Sequence, residues 1–194
     1  AMGAEAHSAL AVVGVPLASK ALTSAQLGEL MQGCAESLEE NHCSLIGGHS
    51  SETADLQFGL SVNGFANKNA LLSKDGMNIG DVLILSKALG SGTLFAADMR
   101  YKAKHDWISN ALKQMLISNR LASICFVEHG ATACTDITGF GLAGHLFEML
   151  ETRNIEVEMN LNDLPALDGA LYTLSQGIIS SLHSDNTAVA SGIY

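Results

Sequence analysis

Apolar and polar residues follow two periodicities along this chain, and each periodicity predicts a different kind of element. Ser8–Val15 is a continuous apolar run rich in Val and Ala, which predicts a buried strand. From Leu56 to Val62 every second residue is apolar, which predicts a strand with one face on a core. Between Thr23 and Asn41 the apolar residues recur at helical spacing, and Thr23 or Ser24 is expected to cap that helix.

The rest of the chain continues this alternation of strands and helices. Short apolar or alternating segments predict further strands at Cys43–Ile46, Val82–Ser86, Ala131–Thr135 and Ile155–Met159. Helical patterns are expected from Leu94 to Met99, over Trp107–Glu128 with a break near Ser118, and over Leu142–Thr152 and Pro165–Gln176, whereas no element is predicted from Ser180 onward. The alternation favours an α+β (mixed α/β) fold over a bundle or a sandwich.

The stretch Ala66–Gly80 interrupts these patterns with residues that form turns. It contains three Asn, one Asp and two Gly, and we interpret it as a linker between domains. The expected domains are therefore residues 1–67 and residues 68–194.

Composition and charge narrow the class of protein. The 194 residues are 47% hydrophobic and only 15% charged, so we expect part of the surface to be buried in an apolar dimer interface. The formal net charge of -10 argues against binding to a nucleic-acid backbone or an anionic membrane. No apolar stretch approaches the roughly 18 residues that span a bilayer. The four cysteines form no C-x-x-C pair, so free thiols in a reducing cytoplasm are expected.

Glycines follow predicted strands at two places where a phosphate could bind. In Leu45–Glu52, Gly47 and Gly48 at a strand end would let a ligand approach the backbone, while a tight turn between strands is the structural alternative. Lys87–Thr93 resembles half of a phosphate loop, but no Gly-Lys-Ser/Thr closes it, and a purely structural turn is the simpler interpretation.

A third segment places a carboxylate between a strand and a helix. Asp136 follows Ala131–Thr135 and precedes a glycine turn, where it could hold Mg²⁺ against phosphate oxygens or cap the next helix. Cys134 is expected to be a packed thiol and His145 a hydrogen-bonded core histidine. These residues alone indicate phosphate and Mg²⁺ chemistry without naming a substrate.

Together the segments resemble the selenophosphate synthetase (selenide, water dikinase) family of the aminoimidazole-ribonucleotide-synthetase-like superfamily. The resemblance covers most of the chain, and its parts are Ala1–Glu5, Leu45–Glu52, Leu89–Leu94 and, most specifically, Ala131–His145. It implies a two-domain fold with an N-terminal ATP-binding domain and a C-terminal α/β domain. It also implies formation of selenophosphate, AMP and orthophosphate from ATP, selenide and water, with Mg²⁺, in a homodimer.

The resemblance assigns roles to a few residues. Gly47, Gly48 and His49 would contact ATP, and Asp136 would be a Mg²⁺ ligand, all in one shared pocket. The family's catalytic Cys or selenocysteine and its Lys would precede Ala1, and its C-terminal domain would continue beyond Tyr194. We therefore expect a fragment with both domains incomplete and without full activity alone.

Two alternatives stay open at this stage. Related enzymes of the superfamily, such as thiamine-phosphate kinase and the hydrogenase maturation enzyme, tend to have an acidic residue in place of His49, so His49 and the run Thr138–Gly141 argue against them. A non-catalytic domain kept for dimerisation or regulation is the second alternative.

Overall fold

The computed structural model describes residues 2–68, 71–151 and 153–190 of the chain. It divides into two compact units. The sheet unit is Gly3–Leu71, and the helical unit comprises the chain from Leu72 onward together with Met2. Within the described ranges, no helix is both long and apolar enough to cross a bilayer.

In its described residues the sheet unit contains three strands and one helix. In chain order these are β1 (Glu5–Pro16), α1 (Lys20–Glu40), β2 (Ser44–Thr53) and β3 (Gln57–Phe65). The strand order is β2-β1-β3, with β2 parallel and β3 antiparallel to the central strand β1. Because a parallel neighbour needs a crossover, α1 forms the connection of a β-α-β motif.

The core of the sheet unit lies between β1 and α1. Alternate residues of β1 are buried, among them Ala9 and Val13, which confirms the predicted strand. Its other face is not buried in the described chain, where Val12 is 59% exposed. The apolar face of α1 packs against the buried residues through Leu27, Leu30, Met31, Cys34 and Leu38. This is the face that the helical spacing predicts.

The start of α1 differs from the prediction. The helix begins at Lys20, and the Ser19 side chain accepts a hydrogen bond from the amide of Leu22, so neither Thr23 nor Ser24 is the cap. The hydroxyl of Ser19 supplies the same chemistry one turn earlier.

The alternating strand β3 is confirmed as a strand, but its apolar face is not buried within the described chain. Phe58, Leu60 and Val62 pair with Val13, Ala11 and Ala9, respectively, so they share the face of β1 that α1 covers. Among the described residues the helix packs mainly on β1 and β2, and Phe58 remains 42% exposed. The prediction that one face of β3 packs on a core was wrong for the described residues. It assumed that the layer covering the sheet extends over β3.

The described part of the helical unit contains seven short helical elements. These are α2 (Ser91–Asp98), α3 (His105–Leu116), α4 (Arg120–Glu128), α5 (Gly141–Leu150), a 3₁₀ turn (Leu161–Asp163), α6 (Ala170–Ser175) and α7 (His183–Ala190). Its core gathers Leu94, Ala111 and Ala170 from α2, α3 and α6.

Most of the helices predicted for this unit are present, but their first and last residues differ from the prediction. The predicted break near Ser118 is confirmed between α3 and α4, and α4 ends at Glu128 as expected. By contrast, α6 begins at Ala170 rather than Pro165, and α7 was missed because its sequence lacks an amphipathic pattern.

The three strands predicted for this unit were wrong. Val82–Ser86, Ala131–Thr135 and Ile155–Met159 belong to no strand among the described residues, where the unit has one isolated bridge between Leu89 and Ala166. An apolar run forms a strand only if another strand satisfies its backbone. Val82 is accordingly 83% exposed.

Candidate functional site

The two adjacent glycines lie inside a strand rather than at its end. Gly47 and Gly48 pair with Leu10 and Ala11 in the parallel ladder, and β2 continues to Thr53. Both the predicted strand end and the alternative of a tight turn are therefore wrong.

Close backbone packing explains why Gly48 is a glycine. A Cβ at this position would lie 2.1 Å from the carbonyl oxygen of Ala11. The ladder shifts register just before this point, because Ile46 is one residue more than β1 can match between Ala9 and Leu10. Such a bulge changes the direction of the side chains that follow it.

His49 follows the two glycines on this edge strand. It pairs with Val12 and its side chain is exposed, so it is available to a ligand. The assignment of Gly47, Gly48 and His49 to ATP stays a prediction, as does their convergence with Asp136 on one pocket.

The glycines of Lys87–Thr93 serve packing within the helical unit. Gly90 has a φ of 117° and a Cβ there would lie 2.4 Å from the Cβ of Ala170. The Thr93 hydroxyl is buried 2.8 Å from that of Thr173 and donates to the carbonyl oxygen of Ile178. Side chains and backbone of this segment pack α2 against α6, which favours the structural interpretation of the motif.

Asp136 lies on an irregular turn that leads into α5. The helix begins at Gly141, its N-cap is Phe140, and no side chain caps it, so the alternative role of Asp136 as a helix cap is wrong. The carboxylate is exposed and lines an open groove of 2590 Å³ in the helical unit. Within the described part of the chain it makes no hydrogen bond or ion pair, so it can accept an external ligand.

Hydrogen bonds from three directions hold the segment around Asp136. On the N-terminal side, the amide of Cys134 donates to the carbonyl oxygen of Ser73 at 3.1 Å. On the C-terminal side, the side-chain amide of Asn186 donates to the carbonyl oxygen of Gly139 at 2.9 Å. The third contact comes from α5.

That third contact is the imidazole of His145. It is 5% exposed, and its Nε2 lies 3.1 Å from the amide nitrogen and 3.0 Å from the hydroxyl of Thr138. The prediction of a hydrogen-bonded core histidine is confirmed. Its partner is the turn that carries Asp136.

Two charged residues lie on the side of His145 that faces away from Thr138, and they form a series of contacts with it. Glu148 Oε2 lies 3.4 Å from His145 Nδ1 and 2.5 Å from Lys74 Nζ. The hydrogen bond from Lys74 holds the pKa of the Glu148 carboxyl below its usual range, and it raises the pKa of the Lys74 amine. Asp136 adds a smaller electrostatic contribution in the same direction at Lys74.

Cys134 precedes the turn and is only half-buried. Partial burial raises the pKa of its thiol, and the nearby negative charge of Asp136 acts in the same direction. Since the thiolate is the nucleophilic form, the environment disfavours a nucleophilic role for this cysteine.

The residues around Asp136 fit Mg²⁺ as a partner shared with phosphate. Among the described residues, no group of three His, Cys, Asp or Glu side chains could form a complete protein cage for a metal ion. Mg²⁺ usually keeps several waters and binds through one or two carboxylates plus substrate phosphates. One exposed carboxylate beside an open groove matches that donor set.

The family of the chain follows from comparison with known proteins. Family models described as "AIR synthase related protein, C-terminal domain" and "AIR synthase related protein, N-terminal domain" match residues 78–185 and 1–66. The chain therefore belongs to the family of AIR synthase related proteins.

Comparison with individual proteins gives a narrower group of relatives than the family models do. The chain is 33% identical over 188 residues to the selenide, water dikinase of Bdellovibrio bacteriovorus, covering 96% of this chain and 53% of the relative. It is 37% identical over 179 residues to that of Campylobacter jejuni, covering 92% and 52%. The chain thus spans about half the length of the curated relatives that it matches.

A solved structure supports the fold. Hydrogenase maturation protein HypE in complex with ATP matches with a TM-score of 0.72 and 13% identity, over 98% of this chain and 62% of the other. The match supports the mixed α/β, AIR synthase-like fold. At this identity it says nothing about the substrate.

Two residues of the site, Lys74 and Glu148, were missed by the sequence interpretation. The spacing of Glu148 three residues after His145 places both on one side of α5 and was a usable signal. Lys74 gave no signal, because it lies in the irregular segment before α2 and its partner is 74 positions away.

Proposed function

We propose that the protein to which this chain belongs makes selenophosphate from selenide, ATP and water, and releases AMP and orthophosphate. The supporting comparison is the similarity to selenide, water dikinases over nearly the whole chain. The proposal concerns the activity of the whole protein.

The observation that carries the proposal is the exposed carboxylate of Asp136 on a turn that the rest of the helical unit holds in place. A carboxylate that forms no hydrogen bond or ion pair in the described chain is suited to an external cation. With a formal charge of -10 on the chain, a bound cation would offset the repulsion between the protein and a polyphosphate.

The proposed roles follow the chemistry of each residue. Asp136 would hold Mg²⁺, which when bound neutralises charge on phosphate oxygens. The backbone amides near Gly47 and Gly48, and the exposed imidazole of His49, would contact ATP. No residue described here is proposed as the nucleophile, and the raised pKa of Cys134 is consistent with that assignment.

The organisation of the protein is part of the proposal. Residues 1–67 would belong to the ATP-binding domain and residues 68–194 to the α/β domain. The exposed apolar side chains of β3, such as Phe58 and Leu60, support a homodimer, because apolar patches of this kind mark interaction surfaces. The location would be the cytoplasm, where thiols such as those of Cys34 and Cys43 stay reduced.

A nucleotide-product assay tests the activity. Full-length protein is incubated with ATP and Mg²⁺, with and without selenide, and the phosphorus species are followed by ³¹P NMR. We expect AMP, orthophosphate and selenophosphate only with selenide. Formation of ADP, or AMP formation that does not depend on selenide, contradicts the proposal and favours another ATP-dependent enzyme of the superfamily.

The variant Asp136→Asn tests the metal role in the same assay. We expect the Mg²⁺ concentration for half-maximal rate to rise by roughly tenfold or more, because the charged ligand is lost. Asp98→Asn, which alters an exposed carboxylate at the end of α2, is the matched control and should leave it unchanged. An unaltered Mg²⁺ dependence of Asp136→Asn contradicts the assignment.

A further inference from the structure

The buried imidazole of His145 joins the turn around Asp136 to helix α5. It is the only side chain that the described chain brings to the Thr138 amide, and that amide lies two residues after the proposed metal ligand. A contact at this position can fix the direction in which Asp136 presents its carboxylate.

The hydrogen bonds define the tautomer of the ring. An amide N–H can only donate, so Nε2 must accept from Thr138 and carries no proton. The neutral ring therefore has its proton on Nδ1. That tautomer requires an acceptor on the opposite side of the ring.

Glu148 places a carboxylate beside that proton. Its Oε2 lies 3.4 Å from Nδ1, which is an electrostatic contact rather than a hydrogen bond, and the buried Nδ1 has no hydrogen-bond partner in the described chain. Lys74 holds the carboxylate in place from the other side at 2.5 Å. The contact chain thus runs from Lys74 through Glu148 and His145 to Thr138.

The same contact chain returns to the other end of the turn. Lys74 directly follows Ser73, whose carbonyl oxygen accepts the amide of Cys134. The turn from Cys134 to Thr138 is therefore held at both ends, by Ser73 on one side and by His145 on the other.

We propose that His145, oriented by Glu148, is a positioning residue that sets the geometry of Asp136 for Mg²⁺. The inference rests on the proposed function, because it takes Asp136 as the metal ligand. It goes further because it attributes part of the Mg²⁺ affinity of the Asp136 site to a residue that does not touch the metal. Partners behind a metal ligand commonly account for ten- to a hundredfold in affinity.

A purely structural role makes a different prediction. The ring also packs edge-on against Phe140, with centroids 6.0 Å apart. If His145 were only a core residue, a phenylalanine in its place would keep the shape and the packing. The acceptor at Nε2 would then be dispensable.

Two substitutions separate these roles. His145→Phe keeps an aromatic ring and removes the acceptor, whereas His145→Gln restores a carbonyl oxygen at about the distance of Nε2. Direct binding of Mn²⁺, a spectroscopic substitute for Mg²⁺, is measured on full-length protein with ATP present by counting free Mn²⁺ with electron paramagnetic resonance. Thr173→Val, which disrupts a buried hydroxyl pair between α2 and α6, is the control for destabilisation alone.

We expect His145→Phe to weaken Mn²⁺ binding by about tenfold, His145→Gln to restore most of it, and Thr173→Val to bind like the wild type. Wild-type affinity of His145→Phe overturns the proposal. Equal impairment of the Phe and Gln variants, or an equal loss in Thr173→Val, overturns it as well, because the acceptor would then not be the operative group.

The variant Asp136→Asn distinguishes this proposal from the proposed function. If Asp136→Asn binds Mn²⁺ like the wild type, the metal assignment itself fails. If Asp136→Asn loses binding while His145→Phe keeps it, the metal assignment stands and only the positioning role is overturned.

Discussion

Gly48 of β2 and Ala11 of β1 lie so close that a Cβ on Gly48 would be 2.1 Å from the Ala11 carbonyl oxygen. At the neighbouring Gly47 the nearest atom to such a Cβ is the flexible Cδ2 of Leu10, at 3.4 Å. The two glycines have the same φ of 158°, so the contact with Ala11 is what distinguishes them.

This difference predicts unequal effects of two alanine substitutions. Gly48→Ala should lower the free energy of unfolding by roughly 1–3 kcal/mol more than Gly47→Ala, because the central ladder must shift to admit the methyl group. Urea unfolding followed by circular dichroism measures it. Equal stabilities of the two variants would show that the ladder adjusts without cost, and the packing explanation for Gly48 would then be wrong.

Helix α1 offers the opposite case. Gly28 lies in the helix interior, and a Cβ there would meet nothing within 4 Å. Gly28→Ala should raise the free energy of unfolding by roughly 0.5–1 kcal/mol, because alanine loses less backbone entropy in a helix. Gly33→Ala, at a second open position of the same helix, should match it in thermal unfolding. A loss of stability in both variants would indicate that this face of α1 is covered.

The sequence predicted local patterns well where the element is amphipathic and its partner is close in the chain. β1 was found from its continuous apolar run and the apolar face of α1 from its helical spacing, and both pack together in the core of the sheet unit. Ser19 was missed as the cap because residues 20–22 add nothing to the apolar stripe. Helix ends depend on single hydrogen bonds that a periodicity does not contain.

The predicted strands of the helical unit show a second limit. Along Ile155–Met159 the odd-numbered residues are half-buried and the even-numbered ones exposed, as the pattern requires, yet no ladder forms in the described chain. An alternating pattern indicates which side of the segment faces inward. A strand also needs a neighbouring strand at the correct distance.

The site divides in the same way. Asp136 was predicted as a metal ligand from a compact motif and His145 as a core histidine, whereas Lys74 and Glu148 act through contacts that only the fold creates. The interpretation of Gly47 and Gly48 as a strand end was wrong, since glycine suits a ligand-facing loop and a crowded ladder equally well.

The cysteines provide a test of the electrostatic environment near the turn. The pKa of the Cys134 thiol is raised by burial, so its thiolate fraction at neutral to mildly alkaline pH is small. Cys125 on α4 is exposed. Iodoacetamide at pH 8, with modified peptides quantified by mass spectrometry, should label Cys125 well before Cys134. The reverse order would show that Cys134 is a reactive thiol and reopen a catalytic role for it.

The pH dependence of stability should report on Asp81. Its Oδ2 accepts the Thr132 hydroxyl at 2.5 Å and the Asn78 amide at 2.8 Å, and these hydrogen bonds, that from Thr132 first, lower the pKa of the carboxyl. A carboxyl whose pKa is lower in the folded state stabilises the fold above its ordinary value of about 4, and this stabilisation is lost as the pH falls through the folded-state pKa.

Asp81→Asn should therefore be less stable than the wild type from pH 5 to 7, and the difference should shrink as the pH falls below about 4, where aspartic acid and asparagine carry the same charge. The midpoint of urea unfolding at each pH measures the difference. Thr132→Val should reproduce the trend, because it removes the donor from the same carboxylate. Thr135→Val is the matched control, since its hydroxyl donates to the backbone oxygen of Asp136 and its effect should not change with pH. A stability difference between Asp81→Asn and wild type that stays constant from pH 3 to 7 would show that the Asp81 charge does not contribute to folding.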